Sequence, residues 1–335
     1  MTKRRRKLST KLNIGVDLGG TDIKIAVVNS SGGIVYSDKV PTEAQMGYNH
    51  TINNIIKAIR NILKNNNLDI SQMESIGVGC PGQVDPCTGL VKFLPNIPGW
   101  INIELTNILE KELGIPAAID NDVRTALLGE HKYGAGKGYD NIVCITVGTG
   151  IGSGIIINGK LVRGANASAG EIGHLILQDT GGKFCGCGGT GCFETLASGP
   201  AIVEMAEQYV LGGKSAKFKE LAADGAITPE LVARAAELGD EVARSIFKKA
   251  GYWIGIALSS VANLLNPEII IIGGGVAQAG DLLFDPIRKT VQERAMKTAT
   301  EKLQIVPAKL GNNAGVIGAS LLVSTKKSLK ETCAK

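Results

Sequence analysis

Apolar positions alternate with polar or small ones through residues 13–40, and the alternation breaks twice at glycine-rich tetrads. NIGVDLG, IKIAVVN and IVYSDKV therefore read as three strands, turned at GGTD and SSGG into a meander. The period then changes. Across 49–66, Ile52, Ile55, Ile56, Ile59, Ile62 and Leu63 recur at helical spacing, which predicts an amphipathic helix. SIGVGCPG predicts a buried strand ending in a loop; a helix around 102–113, a short strand at AAID and a helix at VRTALLGEHK follow. NIVCITVGTG begins a second sheet, and IIINGKLV predicts a hairpin turning at Asn158-Gly159. Residues 198–265 are mostly helical in period, PEIIIIGGG is a buried strand, and 313–324 predicts a last helix packing back toward the first half.

DLGGT at 17–21 and VGTGIGSG at 147–154 each end an apolar strand in glycines and a threonine. This predicts two α/β halves facing each other across a cleft, each offering a phosphate loop. Glycine lets backbone N–H groups approach phosphate oxygens without a Cβ clash, threonine adds a hydroxyl, and a strand-end Asp17 can hold Mg²⁺ through water. A tight hairpin explains either glycine run taken singly; their pairing favours phosphate. Two other loop types are disfavoured. Ser153 stands where G-x-G-x-x-G needs its third glycine, and Leu161 replaces the Ser/Thr of a P-loop at Gly154–Lys160.

Composition narrows the class. The 335 residues suffice for two domains, the 44 glycines follow no Gly-X-Y period, and no apolar run reaches the roughly 18 residues of a membrane span. The basic start lacks the apolar stretch of a secretory leader, so a cytoplasmic protein is expected. The net charge of +5 divides into +6 over the first eleven residues, +3 over the last ten and −4 between them. An acidic body gives no support for nucleic-acid binding, and the ends read as solvated basic tails.

Two further segments carry chemistry. In Ile119-Asp120-Asn121-Asp122, a strand runs into a helix; an aspartate there can serve as N-cap, or one carboxylate can take a proton from a substrate hydroxyl while Asn121 reads neighbouring hydroxyls. Gly170-Glu171-Ile172-Gly173-His174 precedes Cys185, Cys187 and Cys192, three thiols within eight residues. With His174 they make a Cys₃His set suited to tetrahedral zinc, and four protein ligands leave no open position, so the ion reads as structural. A disulfide is the alternative, disfavoured for clustered thiols in a cytoplasmic chain. Cys80, Cys87, Cys144 and Cys333 have no nearby histidine in sequence.

Taken together, DLGGTDIK, GCPG at 79–82, LPNIPGW at 94–100, IDND, VGTGIG, GEIGH and CGCGGTGCFE resemble the ROK family of sugar kinases, in the family's order across about 13–320. The resemblance implies an actin-like ATPase (ribonuclease H-like) fold, two α/β domains around a cleft: 13–122 plus 310–325 as a small domain, 123–309 as a large domain with the zinc site, and basic tails at 1–12 and 326–335. It implies phosphorylation of a hexose, glucose foremost, at its 6-hydroxyl by ATP with Mg²⁺ and Zn²⁺. Asp122 would be the base. Asn96, Asn121, Glu171, His174 and Glu194 would bind other hydroxyls, with the Gly82 backbone nearby. Asp17, Gly19, Gly20, Thr21, Lys24, Gly148, Thr149, Gly150 and Gly152 would surround the phosphates, with Gly274 and Gly275 near adenosine. His174 would both ligate zinc and face the sugar. Asp22 departs from the family's usual basic or small residue. N-acetylmannosamine, N-acetylglucosamine or fructose are the alternative acceptors. A sugar-responsive repressor is a further alternative, disfavoured because about a dozen residues precede Asn13, too few for a helix-turn-helix domain. A homodimer is expected, with neither nucleic acid nor membrane as partner.

Overall fold

The computed structural model describes residues 11–95, 97–211 and 226–325. These form two units: 11–134 with 164–167 and 312–325, and 135–163 with 168–211 and 226–311. In the first unit, β1 (Leu12–Leu18), β2 (Asp22–Asn29), β3 (Ile34–Pro41), β4 (Met73–Cys80) and β8 (Ala117–Asn121) line up in the order β3-β2-β1-β4-β8. Strand β1 runs antiparallel to β2 and parallel to β4. A separate small sheet holds β5 (Gln83–Asp85), β6 (Leu90–Phe93) and β7 (Ile101–Ile103).

The second unit repeats the plan. Here β9 (Ile142–Val147), β10 (Ile151–Ile157), β11 (Lys160–Leu161), β12 (Ile269–Gly273) and β13 (Gln304–Pro307) take the order β11-β10-β9-β12-β13. Again the first strand is antiparallel to the second and parallel to the fourth. The duplication follows from pattern: each half opens with an apolar strand, a glycine turn and an alternating strand, and the later parallel strands, IGVGC and IIIIG, are buried on both faces as parallel strands are.

Packing fixes where the units divide. The helix Ala314–Ala319 lies on the first sheet with its backbone almost touching the strands: a Cβ on Gly15 would strike the Val316 carbonyl, and one on Gly77 the Ala319 carbonyl. Gly318 presses equally on the Thr125 carbonyl of the helix Asp122–Tyr133. That helix therefore belongs with the first unit, and the division falls after Gly134 rather than at Asp122. Ile52, Ile55, Ile56, Ile59, Ile62 and Leu63 are all buried on the helix Tyr48–Asn65. In the second unit, the long helix Glu241–Leu265 meets Asp281–Arg294 closely at Gly251 and Gly255, where added Cβ atoms would strike Pro286 and Thr290. No helix among the described residues is long and apolar enough to cross a membrane.

Candidate active site and metal centre

In the first unit the candidate residues gather at the carboxyl ends of three neighbouring parallel strands, where open α/β sheets place their ligands. Asp17 on β1 pairs with Gly79 on β4, which pairs with Asp120 on β8. Gly79 is a glycine for a local reason: a Cβ there would come within 2.7 Å of Thr125 Oγ1 and 3.5 Å of the Asp122 Cα.

Three consecutive side chains and Arg124 divide the work at the end of β8. Asp120 is fully buried and accepts from Arg124 Nε at 2.8 Å and from the Asn121 N–H at 2.8 Å. The Arg124 guanidinium also donates to the Ala167 carbonyl at 2.8 Å. Asn121, rather than either aspartate, is the N-cap of the following helix: its Oδ1 accepts from the Val123 and Arg124 N–H groups at 3.0 and 3.2 Å. Its Nδ2 donates to the Gly82 carbonyl at 3.4 Å, which brings Asn121 and Gly82 together. Asp122 takes the first helical position and remains partly exposed. Burial of its carboxylate, with the charge of Asp17 added, pushes its pKa up to about 7 against the pull of backbone N–H groups and Arg124. Burial raises Asp17 as well, and Lys24, with Nζ 3.9 Å from Asp17 Oδ2, opposes the shift.

The turn after β1 is shaped to present donors. Gly19 N–H closes on the Asp22 carbonyl at 3.0 Å, while Gly20 and Thr21 are exposed and their N–H groups meet no acceptor among the described residues. Asp22 is held by Lys39 at 2.8 Å at the edge of this turn. Lys24 also reaches the Asn312 carbonyl at 3.5 Å. The turn after β9 has the same character. Gly148 N–H donates to the Gly150 carbonyl at 2.9 Å, the Gly148 carbonyl accepts from Gly199 N–H at 2.8 Å, and Thr149 is exposed. Gly152 lies outside this turn, in β10 opposite Thr146. Gly274, at φ +90°, backs onto Val147, where a Cβ would collide with its carbonyl, and Gly275 precedes the short helix Val276–Ala279.

In the second unit the four candidate metal ligands converge. The ligand atoms of His174, Cys185, Cys187 and Cys192 lie within 4.8 Å of one another. Cys187 and Cys192 sulfurs are 3.6 Å apart, and His174 Nδ1 is 3.5 Å from Cys185 Sγ. A tetrahedral zinc with Zn–S of about 2.3 Å and Zn–N of about 2.0 Å has edges of about 3.8 Å between sulfurs and about 3.5 Å from sulfur to nitrogen. The set fits. Bonds from Cys185 N–H to the Gly189 carbonyl (2.9 Å) and from Gly188 N–H to the Cys185 carbonyl (3.0 Å) close the knuckle, and the Gly189 N–H holds the Cys187 thiol below its usual pKa. Nδ1 faces the thiols, so Nε2 lies on the opposite edge of the ring.

Glu194, two residues beyond Cys192, spans two features of this unit. Its Oε2 accepts from Ile151 N–H at 2.8 Å, directly after the Gly148–Gly150 turn, and its Oε1 lies 3.8 Å from Cys185 Sγ. Glu171 is exposed at the start of the short helix Ile172–His174. Asn96 lies outside the described residues. Sequence reasoning missed Thr42, Arg124 and Gly315. Arg124 was available as an i,i+4 charge partner of Asp120; Gly315, whose Cβ would sit 2.8 Å from the Asp17 carboxylate, left no signal.

The sequence model described as the ROK family matches residues 13–326. The glucokinase of Halalkalibacterium halodurans is 39% identical over 328 residues, 97% of this chain and 98% of its own. The crystal structure of a ROK family glucokinase from Streptomyces griseus in complex with glucose and AMPPNP has a TM-score of 0.81 and 37% identity, covering 93% of this chain and 98% of that one. A ROK family transcriptional regulator, a homolog of the E. coli MLC protein, reaches a TM-score of 0.86 at 27% identity over 97% of this chain and 82% of its own. Fold likeness is thus shared by kinase and regulator, whereas the matched sequence runs through both repeats of the sheet. The chain belongs to the ROK family, with its two-domain, actin-like ATPase fold.

Proposed function

We propose that the protein transfers the γ-phosphoryl group of ATP to the 6-hydroxyl of a hexose, glucose first, with Asp122 as general base. The observation that carries this reading is the state of Asp122: a carboxylate just past the strand end whose burial, with the charge of Asp17, pushes its pKa up to about 7, beside an Asp120 tied to Arg124. A base poised near neutral pH can accept the hydroxyl proton as the oxygen attacks phosphorus in line. The bond from the γ-phosphorus to the bridging oxygen breaks, and ADP leaves with that electron pair. Phosphoryl transfer otherwise asks the protein for alignment and charge stabilisation. The unpaired, exposed N–H groups at Gly20 and Thr21, and the turn at Gly148, Thr149 and Gly150, suit phosphate oxygens. The similar glucokinases, one of them crystallised with glucose and AMPPNP, support the substrate and the donor.

The Asn121 amide, Glu171, His174, Glu194 and the Gly82 backbone, with Asn96, are assigned to the remaining hydroxyls. Gly274 and Gly275 are assigned to adenosine. Mg²⁺, when bound, neutralises charge on the transferring phosphates, and Asp17 with its water shell would hold it. Zinc would be held by His174, Cys185, Cys187 and Cys192 and would fix the imidazole whose Nε2 serves the sugar. The assigned setting is a cytoplasmic homodimer. A coupled ADP-release assay over glucose, N-acetylmannosamine, N-acetylglucosamine and fructose tests the reading. Glucose is expected to give the highest kcat/KM; a preferred N-acetyl sugar would overturn the choice of hexose, and no ADP release with any of them would overturn the kinase.

A further inference from the structure

The turn that follows β1 owes its shape to a residue 21 positions beyond it. Thr42 is fully buried, at the start of the segment leading from β3 to the helix Tyr48–Asn65. Its hydroxyl donates to the Gly19 carbonyl at 2.7 Å, and its backbone N–H donates to the Thr21 carbonyl at 2.8 Å. These two carbonyls flank Gly20. The C=O and N–H of a trans peptide point opposite ways, so holding the Gly19 carbonyl turns the Gly20 N–H away from Thr42, and holding the Thr21 carbonyl fixes the next peptide. In this exposed stretch the Gly20 and Thr21 N–H groups meet no acceptor among the described residues. Successive unpaired N–H groups in a turn are the arrangement that receives an anion. Thr42 is itself held from behind: Thr51, also fully buried, directs its hydroxyl at the Thr42 and Gly47 carbonyls, each at 3.3 Å. A continuous chain of hydrogen bonds thus runs from the first turns of that helix to the glycine turn.

We infer that Thr42 is a positioning residue for nucleotide binding, setting the Gly19–Thr21 turn through its hydroxyl without touching the nucleotide. The inference rests on the proposal that this turn takes ATP phosphates. It separates Thr42 from residues that serve the fold generally, because the hydroxyl acts on the turn and its methyl fills the buried space behind it. Valine keeps that volume and removes the donor; serine keeps the donor and removes the methyl.

The test measures KM for ATP and for glucose in Thr42→Val, Thr42→Ser and Thr21→Ala, with ADP affinity by calorimetry and melting curves on each. Thr42→Val is expected to raise the ATP KM and weaken ADP binding about five- to ten-fold, the effect of one neutral hydrogen bond. Its glucose KM should stay within two-fold, and Thr42→Ser should restore the ATP KM to within two-fold of the parent. Unchanged nucleotide affinity in Thr42→Val, equal shifts in both substrates, or a serine variant as impaired as the valine one would overturn the role. If Thr21→Ala binds nucleotide like the parent, the phosphate assignment of the turn falls and the inference with it; weakened binding in Thr21→Ala with normal binding in Thr42→Val defeats the inference alone. Should Thr42→Val not fold, Thr42→Cys carries the test: a rise in ATP KM of about three-fold from the weaker thiol donor supports it, and a parental value overturns it.

Discussion

Arg124 closes on Asp120 at 2.8 Å with both side chains buried, and this contact separates the duties of two carboxylates only two residues apart. Asp120 is committed to the guanidinium and to the Asn121 N–H, so its carboxylate is held in place. Asp122 has burial and the Asp17 charge acting on it instead, and its proton is held to about pH 7. One aspartate thus stiffens the strand end and the other is left able to exchange a proton.

Removing the guanidinium should expose that arrangement. Arg124→Met leaves a buried carboxylate without its cation, and loss of one partner from a buried pair costs about 3–5 kcal/mol. Urea unfolding at pH 7.5 should show a shift of that size. A loss below about 1 kcal/mol would mean that the pair is not buried in solution.

The pH dependence of turnover follows from the raised Asp122 pKa. Proton acceptance requires the ionised form, so kcat/KM for the hexose should fall about ten-fold for each pH unit below about 7 and level off above it. A profile flat from pH 5.5 to 8 would remove Asp122 from the role of base.

The same shift has a consequence for stability, with the opposite sense to activity. A carboxyl pKa raised on folding contributes stability below its unfolded value of 3.8, and that contribution is lost as pH rises through about 7. Asp122→Asn cannot ionise and escapes the loss. Its melting temperature should exceed the parent's at pH 8, and the gap should shrink toward pH 5.

Metal content tests the knuckle directly. After exhaustive dialysis about one zinc per chain is expected, and Cys192→Ser should lose it together with several degrees of melting temperature. Binding should release protons, because the cluster must surrender its thiol protons to the metal. No zinc in the parent protein would defeat the Cys₃His assignment.

Much of this architecture was legible before any coordinates. The two strand-turn-strand openings, the isoleucine face of the helix Tyr48–Asn65 and the Asn158-Gly159 hairpin are local, and hydrophobic period and turn chemistry report local structure well. The small sheet β5-β6-β7 was not legible, since strands of three or four residues are too short for an alternation to register, and β7 lies inside what reads as the start of a helix. The helix Asp281–Arg294 carries Pro286 inside it and went unread for that reason. At the site, residue types announced Asp122 and the cysteines. What they could not announce was contact at long separation: Thr42 on the Gly19 carbonyl, or Gly315 making room for Asp17. Nor could they show that Asn121 would spend its oxygen on capping, or that Glu194 would reach the Ile151 N–H.

The role proposed for Asp122 is to take the proton from the hexose hydroxyl during ATP-dependent transfer. The direct measurement compares the parent with Asp122→Asn for kcat in the coupled assay and for glucose affinity by calorimetry. A fall in kcat of about 10²–10⁴, with glucose bound within a few-fold of the parent, is the predicted result. Turnover in Asp122→Asn close to that of the parent would contradict it.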